Sequence, residues 1–131
     1  MVDLDQFSDD QIFAKTLDGE AGNQGYEGQQ AVASVIMNRV YLNWQGETTA
    51  RGVCLHHAQF SCWLPGPDRD RIINTLDVQC LEIAQLALAG TLADNTNGAD
   101  SYEVTGTGAY WAKGLTPCAI IGKHSFYKTR K

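Results

Sequence analysis

The chain has 131 residues, a formal net charge of −5, 44% hydrophobic and 19% charged residues. That size and balance suit one globular domain, residues 1–131, able to bury a core without metals or disulfides. An acidic chain with pI near 5.0 argues against nucleic acid as a partner, since phosphate binding is built from Lys and Arg clusters. No apolar run reaches the ~20 residues of a membrane helix, so no membrane insertion is expected.

Met1 to Asp10 carries four aspartates and no basic residue, which does not read as a secretory signal. Ser8-Asp9-Asp10-Gln11 then reads as a capping box, with Phe7 and Ile12 at the positions of a hydrophobic staple. Phe13, Leu17 and Glu20 fall at i, i+4 and i+7 on one helix face. An acid therefore ends an apolar stripe, and Gly22 and Gly25 break the helix. A second helix is expected from about Tyr26 to Val40, with Val32, Val35, Ile36 and Arg39 on one side. Its Glu- and Gln-rich start suits a first turn.

From Tyr41 to Gly66 the pattern is lost, and Gly46, Gly52, Pro65, Gly66 and Pro67 mark a loop with one short helix. Long ordered loops usually have a task. Ile73, Leu76, Cys80, Ile83, Ala84 and Ala87 follow a 3.6 period and predict a third long helix, stopped by Gly90. Asp94 to Gly98 is a turn cluster. Short β-like pieces follow at Ser101 to Thr105, Ala119 to Ile121 and Ser125 to Tyr127. The predicted fold is α+β, mainly helical, with a small β element toward the C-terminus. The only local basic excess is Lys123 to Lys131, which reads as a solvated tail or as a contact for an anionic polymer.

Several residues could carry chemistry. Glu20, at the edge of an apolar face, loses hydration, which favours a protonated carboxyl suited to general acid work. A Glu that merely reaches solvent from a helix end is the alternative. Glu27 could share a cleft with Glu20, or it could simply favour the helix macrodipole. His56 and His57 are adjacent and therefore diverge, so a zinc site with His124 is disfavoured. Cys54, Cys62, Cys80 and Cys118 show no C-x-x-C pair, so reduced thiols are expected rather than zinc ligands. Cys54 and Cys62 are near enough in sequence to be bridged in an oxidising compartment. Phe60, Trp63, Tyr102, Tyr110, Trp111, Phe126 and Tyr127 lie in irregular segments, available either to the core or to a groove that stacks sugar rings.

Taken together, the segment GEAGNQGYEGQQAVASVIMNRV, Gly19 to Val40, resembles the signature of the SleB/CwlJ-like cell-wall hydrolases, the spore-cortex-lytic family. QFSCW (Gln59 to Trp63), DNTNGADSYEV (from Asp94) and IGKHSFY (Ile121 to Tyr127) agree with further blocks of that family. The resemblance spans about residues 7 to 128, and it implies a compact catalytic domain distantly lysozyme-like. It also implies cleavage of the peptidoglycan glycan strand between N-acetylmuramic acid and N-acetylglucosamine, as a lytic transglycosylase.

The family's catalytic glutamate maps onto Glu20. Members often carry a second acid four residues later, where this chain has Gln24, and a histidine where it has Ser101. The expected substrate-binding set is Glu27, Gln59, Phe60, Ser61, Tyr102 and His124, with His124 more structural than catalytic. No metal and no cofactor are expected, and the expected state is a monomer.

The missing signal suggests a phage endolysin made in the host cytoplasm and released to the wall, ahead of a bacterial domain cut from its export sequence. A zinc or cysteine amidase or peptidase on the stem peptide, and a non-catalytic wall-binding module, are the alternatives. The first would lose activity to chelator or thiol reagent. The second would bind sacculi and release nothing.

Overall fold

The computed structural model describes residues 2–130; Met1 and Lys131, the last residue of the basic run, lie outside them. Five α-helices precede a small sheet: α1 Asp9–Ala21, α2 Gly25–Tyr41, α3 Ala50–Leu55, α4 Pro67–Ile73 and α5 Val78–Leu88. The strands are β1 Ser101–Val104, β2 Ala119–Ile121 and β3 His124–Tyr127. Short 3₁₀ turns stand at Leu4–Gln6, Trp44–Gly46, Ser61–Trp63 and Tyr110–Ala112. The fold is thus mainly helical with a three-stranded antiparallel sheet in the order β1-β3-β2.

Helix α1 is the hub, packing against α2, α3, α4 and α5. Its start is fixed as the sequence suggests: the Gln11 side chain accepts from the Ser8 N–H at 3.0 Å, while the Ser8 hydroxyl turns to Asp10. Ile12, Phe13 and Leu17 are fully buried, each contributing about 1.5–3 kcal/mol through burial. Gly25, at φ +74°, turns the chain from α1 into α2, a backbone state that costs glycine little and other residues more. A second, smaller core of Ala31, Val35, Ala99 and Phe126 joins the far side of α2 to the sheet.

The predicted third helix is corrected. The apolar period from Ile73 to Ala87 spans two helices, not one. Ile73 ends α4, Leu76 lies in the connector and is exposed, and α5 begins at Val78. Two interactions impose the break. Asp77 caps α5, accepting from the Cys80 N–H at 2.9 Å. The buried Lys15 ammonium donates to the carbonyls of Ile72, Ile73 and Thr75 at 2.8, 3.1 and 2.6 Å, closing the end of α4. A cation at a helix C-terminus satisfies orphan carbonyls and favours the dipole.

The basic run is corrected too. His124 to Tyr127 is the buried central strand, and of the described basic residues in the run Lys123, Lys128 and Arg130 are exposed. The four cysteines are free thiols, three of them buried. Among the described residues no helix is long and apolar enough to cross a membrane.

Candidate active site

Helix α1 continues past Leu17 to Ala21 and so carries Glu20, three residues on, out of the core into a cleft of about 440 Å³. One wall is helical: Glu20 from α1, Arg39 from α2, Trp44 and Gln45 from the following turn, and Gln59 and Phe60 ahead of the Ser61–Trp63 turn. The other wall comes from the sheet side, with Ser101, Tyr102, Trp111 and Thr129. Glu20 is the only carboxylate in this lining.

The residue before it explains how the acid is seated. A Cβ on Gly19 would collide with the Cys62 side chain, its sulfur only 2.7 Å away. Glycine there lets the Ser61–Trp63 turn lie directly on α1. The same turn is tied down one helical turn earlier, where the Trp63 indole N–H donates to the Thr16 hydroxyl at 2.9 Å.

Tyr102 meets Glu20 from the opposite wall, its hydroxyl donating to Glu20 Oε1 at 2.6 Å. Burial, and then the Glu20 carboxylate beside it, push the phenol well above its usual range. Tyr102 therefore stays protonated and remains a donor. Its ring is held between His124, edge-on at 5.0 Å, and Phe126 at 5.6 Å. Burial lowers the His124 pKa, with Glu20 opposing, so the imidazole is neutral near pH 7. Its Nδ1 is buried without a partner among the described residues.

Two neighbours on α2 align the walls. The Asn38 amide donates to Asp94 Oδ2 at 3.0 Å and to the Ala99 carbonyl at 2.9 Å. Arg39 Nε donates to the Asp100 carbonyl at 2.6 Å. Together they fix the 94–100 segment that leads into β1, and hence the place of Tyr102. Asp94 also takes the Thr96 hydroxyl and the Thr96 and Gly98 N–H groups. Burial alone would raise its pKa; the hydrogen bonds from Thr96 and Asn38 hold it below the usual carboxylate range.

The expected site residues divide. Glu20, Gln59, Phe60 and Tyr102 come together in the cleft. His124 stands behind Tyr102 rather than on the cleft surface. Glu27 is exposed in the first turn of α2, outside the lining, and only its carbonyl is engaged, by Asn95 at 3.1 Å. Ser61 is exposed at the start of its turn and is also outside the lining. Gln24, where an acid is common in the resembling family, accepts from the Lys123 N–H at 3.0 Å and so links the α1–α2 turn to the β2–β3 hairpin.

Arg39, Trp44, Gln45 and Thr129 belong to the cleft without having been singled out as site residues. Trp44 sits in a Gly-punctuated stretch, and an aromatic within such a loop was the available signal. Among the described residues, no three His, Cys, Asp or Glu side chains gather closely enough to hold a metal ion. Burial pushes the Cys54 thiol up to about 12. Burial, then Glu20, raises Cys62 as well.

The family model described as Cell Wall Hydrolase matches residues 23–127. The chain belongs to that family. The matched stretch begins just after Glu20 and holds the rest of the cleft up to Trp111. Among solved structures, the chain is similar to the catalytic domain of the germination-specific lytic transglycosylase SleB from Bacillus anthracis. The identity is 30% and the TM-score 0.76, covering 93% of this chain and 97% of that one. It is equally similar to the catalytic domain of the Bacillus cereus SleB protein, at 30% identity and TM-score 0.76, covering 92% and 89%. No curated protein sequence matches the chain. The helices and small sheet of this cell wall hydrolase are therefore the SleB catalytic-domain fold, a lysozyme-like architecture.

Proposed function

We propose that this cell wall hydrolase cleaves the peptidoglycan glycan strand as a lytic transglycosylase, with Glu20 as its catalytic acid and base. The observation that carries the reading is a lone carboxylate in the cleft, oriented by Tyr102 at 2.6 Å. Similarity to the catalytic domain of a lytic transglycosylase supports the same reaction class.

Glu20 protonates the glycosidic oxygen as the bond to the muramic C1 breaks. The resulting carboxylate then takes the proton of the muramic 6-hydroxyl, whose oxygen attacks C1 and closes a 1,6-anhydro ring. One group thus gives a proton and receives one. The usual two-carboxylate glycosidases need a second acid to activate water or to bond the sugar. The tethered hydroxyl needs neither, because proximity already favours it. Tyr102 accompanies the cycle as a positioning residue, donating to the carboxylate whenever it is charged.

Gln59 supplies hydrogen bonding to the sugars from one wall, and the exposed Trp111 faces them from the other. The raised thiols of Cys54 and Cys62 make poor nucleophiles, which disfavours cysteine chemistry on the stem peptide. The chain acts as a monomer, as one catalytic unit, without a cofactor. Digestion of purified sacculi followed by mass spectrometry of the soluble muropeptides tests the reading. Products lighter by one water, ending in 1,6-anhydro-muramic acid, are expected. Mainly reducing-end products would replace the transglycosylase with a hydrolase.

A further inference from the structure

Arg39 is 6% exposed, yet it lines the cleft. Its Nε–H is spent on the Asp100 carbonyl. The guanidinium carbon lies 4.1 Å from the centre of the Trp44 ring and 5.5 Å from that of Phe60. Nη1 is buried and has no hydrogen-bond partner among the described residues. Leaving a buried charged donor unmatched is costly, more so than for a neutral group.

The turn that sets Trp44 against this guanidinium is itself unusual. Asn43 and Gln45 both have left-handed backbones, at φ 50° and 49°. Non-glycine residues hold that conformation at a cost, and such costs gather at ligand sites. A fixed cation on an aromatic shelf, short of an acceptor, faces the same cleft as the Glu20 acid.

We infer that Arg39 is a specificity residue that binds the acetamido carbonyl of an N-acetylated sugar, with Asp100 and Trp44 holding its guanidinium in place. A guanidinium has donors only, so it selects an acceptor. A sugar hydroxyl both donates and accepts, and a guanidinium gains less selectivity from it. The acetamido oxygen accepts without donating, and it is the group that distinguishes an N-acetylated sugar from one that carries hydroxyls alone. Asp100 and Trp44 hold the guanidinium in place before the sugar arrives, which lowers the ordering cost of binding. This inference rests on the glycan-cleaving reading of the same cleft.

The test is calorimetric binding to the Glu20→Gln protein, which holds sugars without cutting them. The probes are tetra-N-acetylchitotetraose and cellotetraose, which has uncharged hydroxyls in place of the acetamido groups. Adding Arg39→Lys should weaken the acetylated tetramer about tenfold or more, the scale of one charge-assisted hydrogen bond, and leave cellotetraose unchanged. Unaltered affinity for the acetylated tetramer, or equal losses for both sugars, would overturn the assignment. Thermal melting checks that Arg39→Lys folds. If it does not, the Glu20→Gln protein alone must bind the acetylated tetramer about tenfold more tightly, and equal binding overturns the assignment. Failure of the underlying reading looks different: the parent enzyme would then release no anhydro product from sacculi, whatever the binding result.

Discussion

The two walls of the cleft are built on different principles. The helical wall carries its acid on α1, whose apolar face is fully buried and which touches every other helix. The sheet wall carries Tyr102 on a four-residue strand, followed by a long segment to β2 with Tyr110 and Trp111 exposed on one turn. The first wall holds an atom in place; the second offers surface. Precise chemistry is best supported from rigid elements, while loops suit a variable ligand. A polymer substrate with one scissile bond and many sugars needs both.

The sharpest way to break this division is at the acid. Glu20→Gln keeps the shape of the side chain and removes the proton, so clearing of sacculi should fall ~100-fold or more with the melting temperature unchanged. Glu27→Gln, on an exposed helix turn, should stay within about twofold, surface changes of that kind being near neutral. Comparable losses in the two variants would bring Glu27 into the chemistry beside Glu20. Next in size is Tyr102→Phe, which removes the one bond that joins the walls at the acid. A hydrogen bond to a charged group contributes about 1.5–3 kcal/mol, so kcat should drop roughly 10- to 100-fold with KM little changed. An unaffected kcat would show that Glu20 is positioned by the helix alone.

A third effect is on stability. Gly19→Ala forces a methyl into Cys62, and overpacking of this kind costs about 1–3 kcal/mol. Urea denaturation should record that loss, while Gly46→Ala, where a Cβ meets nothing within 4 Å but φ is +84°, should lose less.

The smallest effect is a pH dependence on the sheet wall. Burial depresses the His124 pKa below its ordinary value, so the unfolded chain binds that proton more readily than the folded one. Stability from neutral His124 is therefore complete above about pH 6.5 and declines as pH falls below it. The slope cannot exceed about 1.4 kcal/mol per pH unit from one group. His124→Gln should flatten that part of the melting profile between about pH 7 and pH 5. An unchanged profile would assign the acid sensitivity elsewhere.

Legibility in the sequence followed the same division. The Ser8 and Gln11 cap, the Phe13/Leu17/Glu20 stripe and the glycine stops place α1 and α2 to within a residue or two. The three β pieces are also readable, because alternation and turn residues mark them. The α4–α5 break was not, since Ile73 and Leu76 happen to continue the helical period while the device that ends α4, Lys15, is 57 residues away. Asp77 did carry a local signal as a cap. Glu20 could be singled out because an acid at the end of an apolar stripe is anomalous. Arg39 could not, because a basic residue near the end of a helix is ordinary, and only the packed structure shows that it is buried with Nη1 unmatched. Glu27 and Ser61 sat in the right sequence blocks, but their helical phase turns them away from the cleft.

The order of the strands has a consequence for when the enzyme becomes active. The central strand β3 is the last in sequence, and neither β1 nor β2 has a partner without it. Glu20 and Tyr102, 82 residues apart, therefore meet only once residues 124–127 have joined the sheet. Contacts so distant in sequence form late, because a long loop must close before they are rewarded. A chain ending before His124 would lack the strand that holds Tyr102 against Glu20.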